Sequence, residues 1–177
     1  MTNQIPNQQL LLVDTNDKFS GKYADRASCH TGDGLHHRAF VVVLFNKHDQ
    51  ILLQKRKHML WDGYWDVSAI SHPLHLENHD ESYEEAGKRA LQDEVGIHDV
   101  KLKKIGGFNY FAREGDYCEN EYCAVLTGTY DKEVTPNPDA VYEYVWKDVK
   151  QFLTECEHHL LAYTPWALYT AEILKKK

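Results

Sequence analysis

Five side chains in this sequence have the chemistry of metal ligands: His30, His37, His72, Glu119 and Glu121. His30 and His37 flank Gly32-Asp33-Gly34, a stretch flexible enough to fold both imidazoles toward one point. Glu119 and Glu121 are alternate residues, so on a strand their carboxylates share one face. His72 comes from a separate segment, Ser71-His72-Pro73, just ahead of a helical pattern. Three imidazoles with two carboxylates form a mixed nitrogen and oxygen donor set suited to Mn²⁺, Zn²⁺ or Fe²⁺ rather than Ca²⁺. Scattered surface histidines and a solvated strand face would give the same spacing, so the pattern needs support from elsewhere in the chain.

The elements that must carry these residues can be read from hydropathy and punctuation. Leu10 to Val13 reads as a short strand with a turn at Asn16-Asp17, and Gly21 to His30 as a loop or strand carrying Lys22 and Arg26. Ala39 to Phe45 is a continuous β-branched and aromatic run, the pattern of a buried strand. Asn46 to Asp49 forms a hairpin turn, and Gln50 to Lys55 returns as its partner. Trp65 marks a strand end, followed by a loop with His72 and then a helix. Ser82 with Glu85 three residues on has capping-box spacing, Ala86, Ala90 and Leu91 give an apolar stripe, and Gly96 is the natural stop. Lys101 to Phe111 and Asn120 to Tyr130 read as strands joined by a polar link, Ala112 to Glu119. Pro136-Asn137-Pro138 marks a loop and Val141 to Trp146 a strand. Helices near Val149 to Cys156 and Pro165 to Lys175 close the chain. Strands surrounding helices without strict alternation predict an α+β fold with a mixed β-sheet flanked by helices.

At 177 residues, 42% of them hydrophobic and 12% aromatic, the chain can fill one sizeable core, so residues 1–177 are expected to form a single domain. A formal charge of −7 argues against nucleic acid or anionic membrane as the main partner. No apolar run reaches membrane-spanning length, and MTNQIPNQQ lacks the basic and apolar regions of a signal peptide. Cys29, Cys118, Cys123 and Cys156 form no CxxC pair and read as reduced thiols. The closing Lys175-Lys176-Lys177 reads as a solvated helix end. The expectation is a cytoplasmic monomer acting on a small molecule.

The segment Arg89-Ala90-Leu91-Gln92-Asp93-Glu94-Val95-Gly96-Ile97 resembles the C-terminal half of a Nudix box, Arg-Glu-x-x-Glu-Glu-x-Gly followed by an aliphatic residue. Glu81 and Glu94 match the box, whereas its opening Gly is His75 and the Glu after Arg89 is Ala90. Ala90 cannot ligate a cation, so part of the usual hydrolase metal site is gone while the helix is kept. Four further blocks occur in order: HTGDGLHHRAF from His30, SHP from Ser71, ENEYC from Glu119 and TPW from Thr164. Together they resemble type 1 isopentenyl diphosphate isomerase, a Nudix-fold enzyme that interconverts isopentenyl and dimethylallyl diphosphate.

By matching position, the resemblance places one divalent transition metal (Mn²⁺ or Zn²⁺) on His30, His37, His72, Glu119 and Glu121. It places a diphosphate-bound Mg²⁺ on Glu94. It assigns diphosphate contacts to Arg26, Arg56 and Ser71, with Lys57 or His58 standing for a further lysine in a region two residues shorter here. It assigns Trp166 to the hydrocarbon, and Tyr110 with Glu121 to the acid on one face. Trp61 and Trp65 are candidates for the pocket wall or for ordinary core. Protonating an unactivated alkene gives a tertiary carbocation, so the pocket must be dry and lined by π faces. The family's cysteine on the opposite face corresponds to Ile70, which can neither donate nor accept a proton. Three readings follow: an isomerase that works without that cysteine, a Nudix-type hydrolase or other enzyme of a prenyl diphosphate, or a non-catalytic isoprenoid diphosphate-binding protein. The first has the support of all four blocks.

Overall fold

The structure, a computed structural model, describes residues 8–176. Lys177 and nearly all of the MTNQIPNQQ stretch lie outside it. In chain order the elements are β1 (Gln9–Val13), β2 (Phe19–Asp25), α1 (Arg26–His30), β3 (His37–Phe45), β4 (Gln50–Arg56), β5 (Trp65–Asp66), β6 (Ala69–Ser71), β7 (Leu74–His75), α2 (Tyr83–Val95), β8 (Lys103–Glu114), β9 (Tyr117–Thr129), β10 (Val141–Asp148), α3 (Val149–His158) and α4 (Pro165–Leu174). A 3-10 turn, Leu160–Ala162, precedes α4.

The β-branched run that predicts a buried strand forms β3 from Ala39 to its end at Phe45, and it is covered on both faces. Ala39, Val41 and Val43 enter one apolar cluster with α3, α4 and Trp166, while Phe40, Val42 and Leu44 enter the other with the Ala86, Ala90 and Leu91 stripe of α2. The sheet is mixed, because β3 pairs in parallel with β9 while β8 and β9, β4 and β10, and β1 and β2 pair antiparallel. The α+β expectation holds: one helix covers one face of this sheet and a helical pair the other.

One irregularity opens the functional cleft. β3 and β4 pair only at Phe45 and Ile51, then diverge. β6 takes the vacated edge of β3, with Phe40, Val41 and Val42 opposite Ser71, Ile70 and Ala69. The gap between β4 and β6 becomes a pocket.

α2 is built as its termini dictate. The Ser82 hydroxyl accepts from Glu85 N–H at 3.2 Å while Glu85 Oε2 accepts from Ser82 N–H at 2.8 Å. Gly96 ends the helix at φ +67°, and a Cβ there would meet Thr135 O at 2.4 Å, so both conformation and space require glycine.

Three expectations change. The segment entering the site contains α1, whose N-cap is Asp25 accepting from Ser28 N–H at 2.9 Å; five residues are too few to show helical periodicity. The Ala112 to Glu119 link is strand almost throughout, since β8 and β9 stay paired to Glu114 and Tyr117 and turn at Gly115. The stretch between Trp65 and α2 holds the short strands β5, β6 and β7 rather than an open loop.

Candidate metal centre and diphosphate pocket

The five expected ligands meet. Their ligand atoms lie within 4.8 Å of one another and all five residues are buried. Register explains the core of the arrangement: Glu121 on β9 is opposite His37 on β3 and opposite Tyr110 on β8, so three strands place His37, Glu121 and Tyr110 in one row. Glu119 lies two residues earlier, opposite Ala112, whose small side chain leaves room. His30 arrives from the end of α1, and His72 from the turn after β6.

Contacts behind the rings aim them. His30 Nδ1 is 2.8 Å from Arg26 O, and His37 Nδ1 is 2.7 Å from Leu35 O. A carbonyl only accepts, so each Nδ1 carries the proton and each Nε2 lone pair faces inward. His72 Nε2 is 2.8 Å from Glu121 Oε1, while its Nδ1 lies 3.4 Å from an Arg26 amine. His37 Nε2 approaches Glu121 Oε1 at 3.3 Å and His30 Nε2 approaches Glu119 Oε2 at 3.1 Å. His30 Nε2, His37 Nε2 and Glu119 Oε2 are nonetheless buried without a hydrogen-bond partner. Orphaned buried polar atoms of this kind are rare and costly. Three of them converging with a second carboxylate fit a divalent cation held by nitrogen and oxygen.

Electrostatics divide the cluster: against the effect of burial, Glu119 and Glu121 raise His30 above the ordinary histidine value, while His72 shifts the other way. Burial lowers His72 far below the ordinary histidine value, with Arg26, His37 and His30 adding to the effect, so the imidazole is neutral as ligation requires. Burial opposes the charged form of Glu121, but His37, Glu119 and His30 outweigh it and hold the carboxyl below its ordinary value. Burial and then Glu121 push the Tyr110 phenol well above its usual range, so it stays protonated and donates to Glu121 Oε2 at 2.5 Å.

The cluster opens into a pocket of about 200 Å³ lined by Arg26, Gln54, Arg56, Ile70, Ser71, Glu94 and Trp166, with Lys57 and His58 at the same wall. Arg56 is 9% exposed and its Nε has no partner, so a buried guanidinium donor waits there for an anion. Lys57 Nζ donates to Pro138 O at 2.7 Å. His58 Nδ1 accepts from Leu60 N–H at 3.1 Å, which leaves the proton on Nε2; burial, then Arg56 and Arg26, lowers this histidine to about 4. Glu94 accepts from Gln54, and burial raises its carboxyl to about 7. Ile70 and Trp166 belong to the apolar cluster containing Tyr110. Trp61 packs edge-on against Trp166 with ring centroids 5.0 Å apart, whereas Trp65 lies under Lys55 and Lys147, outside the pocket.

Two features were not read from the sequence. Glu81 receives Arg89 on both oxygens, at 2.8 and 2.7 Å, and Arg89 also donates to His72 O at 2.9 Å. The surviving Nudix-box pair therefore braces the His72 backbone. Asp66 is the other, a fully buried carboxylate between β5 and Trp166. Its visible signal was an acid set directly between Trp65 and Val67.

A curled mixed sheet between α2 and the α3–α4 pair, with a buried His and Glu cluster at its cleft, has the architecture of a Nudix-type protein. The NUDIX domain family model matches residues 35–167. An isopentenyl-diphosphate Delta-isomerase from Haloarcula marismortui is 32% identical over 173 residues, covering 93% of this chain and 90% of the relative. One from Klebsiella pneumoniae is 30% identical over 169 residues, covering 93% and 89%. The chain belongs to the Nudix family and, within it, groups with the isopentenyl-diphosphate Delta-isomerases. In fold it is similar to a Deinococcus radiodurans protein (TM-score 0.68, 15% identity, 93% of this chain and 97% of that one). It is also similar to a MutT protein from Methanosarcina mazei (TM-score 0.59, 17% identity, 80% and 96%).

Proposed function

We propose that this protein interconverts isopentenyl and dimethylallyl diphosphate. The observation that carries the reading is the His37–Glu121–Tyr110 row, whose Glu121 opens with Glu119 and His72 onto a pocket whose other polar wall is Arg26, Arg56, Ser71 and His58. Arg26 and Arg56 would grip the diphosphate, and guanidinium geometry suits phosphate oxygens. His58 would add a neutral Nε2–H donor; Lys57, held by Pro138, is the weaker candidate of the two. Ser71 lies beside them.

The hydrocarbon would rest between Ile70 and the Trp166 face. Glu121 would exchange a proton with the alkene, with Tyr110 holding the carboxyl in place and the π face of Trp166 stabilising positive charge. His30, His37, His72, Glu119 and Glu121 would hold the transition metal, Mn²⁺ or Zn²⁺, and Glu94 a Mg²⁺ that arrives with the diphosphate. The metals would supply charge that fixes Glu121 and neutralises the phosphates. On the opposite face Ile70 offers no proton, so Ser71, water or Glu121 itself must complete the transfer.

Ile70 favours a second reading, a prenyl diphosphate hydrolase or binding protein. Against hydrolysis, Ala90 is 2% exposed and packed into the core under α2, where the Nudix box would place a cation ligand. Incubation with isopentenyl diphosphate and Mg²⁺ in D₂O, followed by NMR, separates the readings: deuterium in dimethylallyl diphosphate supports the isomerase, free phosphate the hydrolase, unchanged substrate the binding protein. The protein is expected to act as a cytoplasmic monomer and as one domain.

A further inference from the structure

Asp66 has no part in the chemistry described so far, yet it is 0% exposed and touches both halves of the pocket. The Trp166 indole N–H points at both carboxylate oxygens, 2.8 Å from each. Arg56 donates to Oδ2 at 3.2 Å and Val67 N–H donates to Oδ1 at 2.7 Å. The Arg56 guanidinium sits 5.1 Å from the centroid of the Trp166 ring. A buried carboxylate is expensive unless paired, and this one is paired only with donors that belong to the site or to the segment bearing it.

We infer that Asp66 is a positioning residue that locks the Trp166 indole and the Arg56 guanidinium to each other, so that the anion grip and the aromatic wall are set as one unit. Trp166 is at the start of α4 and Arg56 at the end of β4; no other contact described ties both side chains to a common polar group. With the indole held by its N–H edge, the ring face is left to line the pocket. The longer Arg56 contact engages only NH1, so the unpartnered Nε stays available to an anion. The indole also shares the oxygens that would otherwise draw Arg56 fully away from the pocket. The negative charge facing the indole N–H enriches the ring in electron density, which favours a cation over its face.

The inference rests on Arg56 and Trp166 being substrate contacts, but its test needs no turnover. Asp66→Asn keeps the shape and substitutes an NH₂ that must face a donor. The variant should bind inorganic pyrophosphate with Mg²⁺ about tenfold more weakly by calorimetry, the scale of one charge-assisted hydrogen bond. Its tryptophan emission should shift relative to wild type, and that shift should vanish when Asp66→Asn is made in a Trp166→Phe background. Trp166→Phe alone should lower pyrophosphate affinity severalfold, because the freed carboxylate then captures Arg56. This second variant judges the inference even if Asp66→Asn fails to fold. Unchanged pyrophosphate affinity in Trp166→Phe, or an emission shift that persists without Trp166, overturns it. If wild type shows no isomerisation while these effects appear, the isomerase reading alone is wrong.

Discussion

The two walls of the pocket rest on different foundations. On one, Glu121 is set by register against His37 and Tyr110, in strands β3, β8 and β9 that pair along most of their length. On the other, Ile70 and Ser71 sit on β6, three residues whose one strand partner is β3 and which pack against α2. Replacing Glu121 on the first wall would leave the Tyr110 hydroxyl and His72 Nε2 buried without their partner. Exchanging a side chain at position 70 disturbs only local packing. Position 70 can therefore change at less cost to the fold than the His37–Glu121–Tyr110 row.

The largest expected effect comes from breaking the first wall. Glu121→Gln should reduce isomerisation by ~10²–10⁴, the usual worth of a positioned acid or base. It should also cost metal, as should His37→Ala and Glu119→Gln; metal analysis of protein purified without chelator checks this, and full occupancy in all three variants would falsify the ligand assignment. Next, Ile70→Cys should restore chemistry to the second wall and raise turnover by roughly 10²-fold. The small cavity should cost about 1 kcal/mol, visible as a modest drop in melting temperature. The gain should be lost when Glu121→Gln is added. If Ile70→Cys binds substrate normally without faster isomerisation, the second wall serves another reaction.

Glu94, on the α2 side of the second wall, should show a smaller effect. Glu94→Gln should weaken Mg²⁺-dependent diphosphate binding about tenfold while the transition metal stays bound, since one interaction with a charged partner is at stake. Equal affinity in calorimetry would remove Glu94 from that role. The smallest effect is on stability against pH in chelator-treated protein. Burial raises the Glu94 carboxyl to about 7 from an ordinary 4.5, so folding favours its protonated form. That contribution is complete below 4.5 and disappears as pH rises through 7. The melting temperature of wild type should fall relative to Glu94→Gln across this window, and a constant difference would show that the carboxyl titrates normally.

Some of this was legible without coordinates because the signals are local. Ser82, Glu85 and Gly96 bound α2 through contacts within a few residues, and the β-branched run at Ala39 to Phe45 marks a strand covered on both faces. The types and order of His30, His37, His72, Glu119 and Glu121 identified a donor set, and the same five residues converge in the fold.

What required the tertiary structure depends on backbone conformation and on pairings that no sequence pattern announces, some of them local and some far along the chain. Carbonyls at Arg26 and Leu35 decide which nitrogen of His30 and His37 faces inward. Cross-strand pairing carries β8 and β9 through a polar segment that composition assigns to a loop, because an exposed strand face tolerates polar side chains. The Arg89 brace on His72 joins α2 to a turn that sequence order separates from it. Asp66 meets Trp166 one hundred residues away, and no local pattern encodes that hydrogen bond. By itself the sequence determined the candidate donor types, the ends of α2 and the apolar faces, since these follow from side-chain chemistry and backbone preference. Ring orientation, strand register and the joining of Arg56 to Trp166 were decided only in the folded chain, where burial removes water as the alternative partner.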